Sequence, residues 1–171
     1  GRGRGRVSGM IATGGTGETA RTLVACLGNI FLSDDGFGVE VARRLARERL
    51  PEGVRVTDYG IRGMHLAYEL SSGWELAIVV DAVARGGAPG TLYVLDPELD
   101  HKGAVVADGH GLDLGAVFAL TRTIGEPPAR IVVVGCEAAE LSERMGLSEI
   151  LQRSVAGAVT LVERIVEEVA R

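Results

Sequence analysis

The sequence predicts a single α/β domain with a mixed sheet, on three observations. Two apolar runs, residues 23–27 and 76–80, are continuous rather than alternating, which is typical of strands buried on both faces. Other segments carry apolar residues at helical spacing, so helices are expected to cover the sheet. The 171 residues have room for one domain, and because only 4% are aromatic, Val, Leu, Ile and Ala must fill its core.

The first half of the chain is predicted to alternate strand and helix. The first apolar run stops at a Gly-Asn turn, and an apolar stripe with helical spacing follows until Pro51 breaks it. A short alternating segment then predicts a second strand, and a glycine-rich loop leads into a second helix. In order, the elements are a strand at 23–27, a helix at 36–50, a strand at 54–57, a loop at 58–63 and a helix that ends at Leu70.

The second half is predicted to add three strands and two helices. Only eight residues separate Asp81 from Gly90, whereas a parallel crossover needs about a dozen, so the next strand is expected to be antiparallel at or near an edge. Ser148 is a candidate N-cap for a long final helix. In order, the elements are a strand at 76–80, a strand at 91–95, a helix marked by Leu114, Val117, Phe118 and Ile124, a strand at 131–134, a loop at 135–146, and a final helix with Leu151, Val155, Val159, Val162, Val166 and Val169 on its core face.

The amino-terminal residues differ in composition from the rest of the chain. Residues 1–20 are rich in Gly, Thr, Ser and Arg and show no hydrophobic periodicity, so we expect a disordered tail followed by one domain over residues 21–171. The basic start is not followed by the apolar stretch of a secretory signal, and Met10 is a candidate initiator. Since no apolar run approaches the ~20 residues that cross a bilayer, we expect a soluble protein. The two cysteines, which lie in apolar surroundings and are not expected to form a disulfide, fit a cytoplasmic, reducing location.

The charge balance argues against two classes of partner. Without Arg2, Arg4 and Arg6 of the tail, 15 of the 18 basic residues remain against 23 acidic ones, a formal charge of −8. An acidic body favours neither nucleic acid nor anionic membranes. We therefore expect no nucleic-acid partner and no membrane partner.

Candidate metal ligands follow the predicted strands. In an open α/β sheet, ligands bind outside the carboxyl ends of the strands. Asp34 and Asp35 lie in the loop after the first strand, Asp81 closes the third strand, and His110 lies in a long loop at 96–111. Long loops are often functional. Two carboxylates and one imidazole suit a divalent metal such as zinc or nickel, with positions left open for water or substrate.

Each of these residues also has a purely structural interpretation. One of Asp34 and Asp35 is expected to cap the first helix, because aspartate is among the best N-cap residues. Asp81 has the alternative of bonding to loop amides, although a carboxylate that closes a buried strand needs a partner or a metal. Loop histidines are more often solvated than ligating, which applies to His65, His101 and, taken alone, His110.

Other catalytic chemistries lack their motifs. The chain has no Gly-x-Ser-x-Gly and no His-Glu-x-x-His, and its glycine-rich stretch at 14–17 lacks the lysine of a phosphate-binding loop. Cys26 and Cys136 both lie in apolar surroundings, where a cysteine is usually a small buried hydrophobe. We therefore expect neither a serine nor a cysteine nucleophile.

Five pieces of sequence, in order along the chain, resemble the hydrogenase maturation proteases. The most specific is Gly-Asn-Ile-Phe-Leu-Ser-Asp-Asp-Gly-Phe-Gly-Val at 28–39, which is similar to the family's Gly-Asn-x-Leu-x-x-Asp-Asp/Glu-x-x-Gly-Val. The other pieces are the loop at 58–63, the strand end at 78–82, His-Gly-Leu at 110–112, and two segments before the final helix, 135–137 and 143–148. Two features depart from the family: Asp108-Gly109 before the histidine, and the arginine-rich tail.

The resemblance implies a three-layer α/β/α fold with a twisted, mixed five-stranded sheet. It also implies a metal-dependent, aspartyl-type endopeptidase that removes the C-terminal tail from the precursor of a nickel-iron hydrogenase large subunit after nickel insertion. Matched by position, Asp35, Asp81 and His110 are implied to be both the metal ligands and the catalytic residues. The divalent metal is then most simply nickel supplied by the substrate.

Two mechanisms and two other functions stay open on the sequence. Either the metal polarises the scissile carbonyl and activates a water molecule, or it positions the substrate while Asp35 or Asp81 acts as general base. A noncatalytic metal-binding maturation chaperone would use the same ligands without cleavage. A flavodoxin-like domain would bind the phosphates of a small ligand at the Gly28 loop, which two neighbouring carboxylates oppose.

Overall fold

A five-stranded sheet with helices on both faces forms the fold, as the sequence predicts. The computed structural model describes residues 21–97 and 113–171, so the predicted tail at 1–20 lies outside the described residues. The elements are β1 Thr22–Leu27, a 3₁₀ turn Ser33–Gly36, α1 Phe37–Leu45, β2 Val54–Gly60, α2 Gly63–Leu70, β3 Leu76–Val83, β4 Leu92–Leu95, α3 Leu114–Ile124, β5 Arg130–Glu137 and α4 Glu149–Val169.

The sheet is mixed, with the strand order β2-β1-β3-β5-β4. The first four strands in this order are parallel, and β4 pairs antiparallel with β5 at the edge, which confirms the predicted antiparallel strand. Every residue of β1 and of β3 is buried, because both strands lie inside the sheet with helices on either side. This burial explains their continuous apolar sequences.

Two apolar cores on opposite faces of the sheet make the fold three-layered. On one face α1 and α4 pack on the strands, and their buried side chains include Phe37, Val41, Leu151 and Val162. On the other face α2 and α3 do the same, with Leu66, Leu70, Val117 and Phe118. The predicted α/β/α layering is confirmed.

The final helix, α4, is 21 residues long and agrees with its predicted pattern except at its end. Ser148 is its N-cap, as predicted. Five of its six predicted core residues are buried, whereas Val169, the last helical residue, is 41% exposed. No helix in the described part of the chain is long and apolar enough to cross a membrane.

Helix α1 is shorter than the predicted range of 36–50. It ends at Leu45, the last buried residue of its apolar stripe. Beyond that point the backbone tightens to i→i+3 bonds, such as the one from Glu48 N–H to the Leu45 carbonyl. Residues 46–49 are exposed, so no burial supports another α-helical turn.

Three strands run further than predicted, to Gly60, Val83 and Glu137. Asp81 therefore lies within β3 rather than at its end, and the first three residues of the predicted loop at 135–146 belong to β5. The reason is the β3–β5 ladder, which pairs Asp81 with Gly135 and continues for two more residue pairs. Periodicity within one segment does not report such cross-strand pairing.

Candidate active site

Asp35 and Asp81 lie together at the carboxyl edge of the sheet. Asp35 is in the 3₁₀ turn after β1, and Asp81 follows Val80, the last β3 residue that pairs with β1. Each side chain is only 2% exposed. Two acidic groups are thus buried where β1 ends and β3 continues.

The two carboxyl groups interact electrostatically. Burial and the charge of Asp35 raise the pKa of Asp81 well above its usual value, against the effect of a 2.8 Å hydrogen bond from the Ala82 N–H to Asp81 Oδ1. Asp35 Oδ2 accepts a hydrogen bond from the Asn29 N–H at 3.0 Å. The site carries buried negative charge, which a bound cation would offset.

Two glycines permit the close approach of these segments. Gly28 has a φ of 151°, and a Cβ there would lie 2.1 Å from the Asp35 carbonyl oxygen. In the first turn of α1, a Cβ on Gly38 would lie 2.1 Å from the Leu27 carbonyl oxygen and 2.5 Å from that of Val80. Glycine at both positions lets the turn that carries Asp35 pack directly on the ends of β1 and β3.

We expect Gly38→Ala to destabilise the fold by about 1–3 kcal/mol, because the added methyl group must push α1 away from two backbone carbonyls. Urea denaturation followed by circular dichroism measures the effect. Gly157→Ala is the matched control, since it also lies in a helix but its Cβ would meet only the end of the flexible Leu92 side chain, at 2.8 Å. Equal stability of the two variants would contradict this packing argument.

Asp34 has a different role from that of its neighbour. Its buried carboxylate accepts hydrogen bonds from the N–H groups of Ala139, Glu140 and Ser148 at 2.8, 2.9 and 2.7 Å, and from the Ser148 hydroxyl at 2.9 Å. It lies at the N-terminus of α4, where the helix dipole favours negative charge. Asp34 therefore fastens the turn after β1 to residues 138–148, hereafter the late loop.

The prediction that Asp34 or Asp35 caps the first helix is wrong. The N-cap of α1 is Gly36, and no side chain caps that helix. The 3₁₀ turn directs Asp34 to the late loop and Asp35 to Asn29, so both carboxylates bond elsewhere. At the start of α4, Ser148 occupies the N-cap position, but its side chain makes no capping hydrogen bond and its hydroxyl donates to Asp34.

Two further carboxylates occur at this edge, and the sequence assigned no role to either. Asp58 of β2 is paired in register with Cys26 of β1 and lies close enough to raise the pKa of its thiol. Glu137, the last residue of β5, accepts hydrogen bonds from the Arg85 N–H at 3.0 Å and the Tyr93 hydroxyl at 3.2 Å. In the sequence, both could have been found as acidic residues close to the carboxyl end of a predicted strand.

The cysteines are not arranged as nucleophiles. Cys26 and Cys136 are free and buried. Burial raises the pKa of Cys136 to about 11, and burial together with Asp58 and Asp81 raises the pKa of Cys26. Since the thiolate is the reactive form, a raised pKa disfavours a nucleophilic role for either thiol near neutral pH.

The structure brings together two of the three predicted metal ligands. His110, like His101, lies outside the described residues, and His65 is exposed on α2. Within residues 21–97 and 113–171, no group of three His, Cys, Asp or Glu side chains is placed to hold a metal ion. Of the three predicted ligands, the described residues therefore include only Asp35 and Asp81, and the ligand role of His110 stays a prediction.

Comparisons of the sequence with known proteins agree with one another. A family model described as hydrogenase maturation protease matches residues 39–165, a range that contains Asp81 and begins after Asp35. The hydrogenase expression/formation protein HupM of Azotobacter chroococcum mcd 1 is 37% identical over 131 residues, covering 75% of this chain and 62% of the relative. The hydrogenase 2 maturation protease of Escherichia coli (strain K12) is 31% identical over 144 residues, covering 83% and 88%. The chain spans less than two thirds of the length of HupM and of the similar HupD of Rhodobacter capsulatus, 62% and 66%.

Solved structures share the fold. The hydrogenase maturating endopeptidase HybD from E. coli superposes with a TM-score of 0.75 at 29% identity, over 86% of this chain and 93% of that one. The [NiFe] hydrogenase maturation protease HycI from Thermococcus kodakarensis KOD1 superposes with a TM-score of 0.63 at 25% identity, over 88% and 94%. The likeness therefore extends over nearly the whole of both neighbours.

Proposed function

The chain belongs to the hydrogenase maturation protease family, and from this premise we propose that it is an endopeptidase that removes the C-terminal tail of a nickel-iron hydrogenase large-subunit precursor after nickel insertion. The observation that carries the proposal is the buried pair of Asp35 and Asp81 at the carboxyl edge of the sheet. The raised thiol pKa values of both cysteines also fit hydrolysis by water rather than by a protein nucleophile. We place the reaction in the cytoplasm, where free cysteines persist.

We propose that Asp35, Asp81 and His110 bind the nickel that the precursor carries. The two carboxylates are oxygen donors of the kind that divalent ions accept, and His110 supplies a nitrogen donor. The raised pKa of Asp81 reflects the cost of placing two buried acidic groups side by side, a cost that a cation offsets. Nickel held at this site would supply Lewis acidity to the neighbouring carbonyl group.

The chain's own residues then have two tasks. By engaging the precursor's metal centre, the site brings the adjacent peptide bond to the carboxyl edge, which makes its hydrolysis effectively unimolecular. We assign to Asp81 the acceptance of a proton from the attacking water, because burial and the neighbouring Asp35 raise the pKa of its carboxyl group above the usual range, as general bases require. Asp35, oriented by the Asn29 N–H, acts as a ligand.

Cleavage is expected to require nickel in the precursor. Two carboxylates and one imidazole, without a thiolate, form an incomplete shell that holds free metal less firmly than a closed structural site, so the precursor must supply the ion. The test is incubation with precursor that is loaded with nickel, loaded with zinc or left empty, followed by a gel that detects loss of the tail. We expect only the nickel-loaded form to be cut; equal cleavage of all three would identify an ordinary peptidase.

His110→Ala is the control for the ligand set in this experiment. The variant is expected to leave the far-ultraviolet circular dichroism spectrum unchanged while the nickel-loaded precursor stays intact. A wild-type protein that binds the loaded precursor in gel filtration and never shortens it would instead be a noncatalytic metal-binding chaperone.

A further inference from the structure

We propose that a groove beside the acidic pair binds a large apolar side chain of the precursor, in the segment that flanks the scissile bond. This inference rests on the proposed function and names a feature of its substrate. The groove has a volume of about 420 Å³ and is lined by Phe31, Leu32, Glu143, Arg144 and Met145. Its volume falls in the range of roughly 300–1,000 Å³ that is typical of ligand pockets.

Exposed apolar side chains line the groove, and others lie at the same edge of the sheet. Phe31 is 62% exposed and Met145 is 65% exposed, although both residue types are usually buried. Ile61 and Met64, which follow β2 at the same edge of the sheet, are exposed as well. Apolar side chains exposed together mark an interaction surface, and methionine adapts its shape to a partner.

Hydrogen bonds hold the two walls of the groove together. Leu32 and Arg144 form a parallel β-bridge, the Ser33 N–H donates to the Arg144 carbonyl at 2.7 Å, and the Ser33 hydroxyl donates to the Ser142 carbonyl at 2.7 Å. Ser33 has a φ of 49°, which is uncommon for a residue other than glycine. Strain of this kind persists where the surroundings fix the backbone, so the groove is preformed.

The turn that carries Asp35 also lines the groove. The Asp35 N–H donates to the Leu32 carbonyl at 3.1 Å, so one turn supplies both a wall of the groove and a proposed ligand. An extended peptide advances about 3.3 Å per residue, so a precursor segment with one side chain between Phe31 and Met145 needs only a few further residues to pass the turn that carries Asp35. Glu143 and Arg144 contribute one charge of each sign, which favours an apolar occupant over an acidic or a basic one.

The test compares KM and kcat for cleavage of nickel-loaded precursor by the wild type, Phe31→Ser and Met145→Ser. We expect either substitution to raise KM about tenfold and to leave kcat within about twofold, because an apolar contact of this kind binds the ground state and the transition state alike. Val169→Ser is the matched control. It removes an apolar side chain that is also exposed, at the far end of α4, and should change neither constant.

A second variant and a second measurement keep the test decisive. Met145→Gln preserves the length of the side chain and should raise KM as Met145→Ser does, and the dissociation constant of the variants for uncleaved precursor should rise by a similar factor. The proposal that the groove binds the precursor would be overturned if KM and the dissociation constant were unchanged in the groove variants, or if Val169→Ser raised them equally. If the wild type cuts nothing, the proposed function fails, and the dissociation constants still decide whether the groove binds the precursor.

Discussion

Asp81→Asn is expected to abolish cleavage of the nickel-loaded precursor and, at the same time, to stabilise the protein without metal. Loss of a general base alone costs about 10²–10⁴-fold in rate, and this substitution also removes a proposed ligand. Stability rises because the neutral amide no longer places an ionisable group beside Asp35, while its oxygen still accepts the hydrogen bond from the Ala82 N–H. Cleavage assays and thermal unfolding of metal-free protein measure the two effects.

The stability of the wild type and of Asp81→Asn should also depend differently on pH. Folding raises the pKa of Asp81 above its usual 3.8. At pH values between the pKa of the unfolded chain and the higher pKa of the folded protein, the folded protein therefore binds more protons than the unfolded chain. The stability of the metal-free wild type must therefore fall as the pH rises through this interval, and Asp81→Asn should remove that fall. Asp113→Asn, at an exposed N-cap, should keep it. A wild type and an Asp81→Asn protein with parallel pH dependence would contradict the burial argument.

Asp34→Ala is expected to destabilise the fold by about 3–4 kcal/mol, with the loss centred on the late loop. The substitution leaves the N–H groups of Ala139, Glu140 and Ser148 without their acceptor. A donor that loses its partner costs about 1–3 kcal/mol, and the lower end applies here because these three residues are not fully buried. It also removes negative charge from the N-terminus of α4. Urea denaturation measures the total, and amide hydrogen exchange of the three N–H groups locates it.

Asp113→Ala is the matched control for this experiment. Asp113 is also an aspartate at the start of a helix, but its side chain is exposed and accepts one bond, from the Ala116 N–H at 3.2 Å. Loss of such a cap costs about 1 kcal/mol. If the two alanine variants were equally stable, the four contacts of Asp34 would not act as a fastening.

The two adjacent aspartates have different surroundings, so substitutions at the two positions should have different effects. Asp34 holds the late loop, which forms one wall of the groove, while Asp35 stands beside Asp81 at the edge of the sheet. Substitutions at position 34 should therefore act through stability and groove shape. Those at position 35 should act through the metal of the precursor.

The order and type of the elements were determined by the sequence itself. Continuous apolar runs and helical stripes are local properties, so β1, β3, α3 and α4 follow from short windows of sequence. The acidic pair also followed, because the carboxyl ends of parallel strands meet at one edge and Asp35 and Asp81 each stand there. His110 was assigned by the same reasoning and remains a prediction.

Only the tertiary structure decided where β3 and β5 end and which groups each aspartate contacts. Asp81 lies inside β3 because β5 pairs with it, and that pairing depends on a strand about fifty residues later in the chain. Helix-capping rules treat Asp34 and Asp35 alike, yet the partners of Asp34 lie 105 to 114 residues away. These rules consider only the nearest residues, so they predicted a cap at α1, whereas the folded chain brings the late loop to Asp34 and the Asn29 N–H to Asp35.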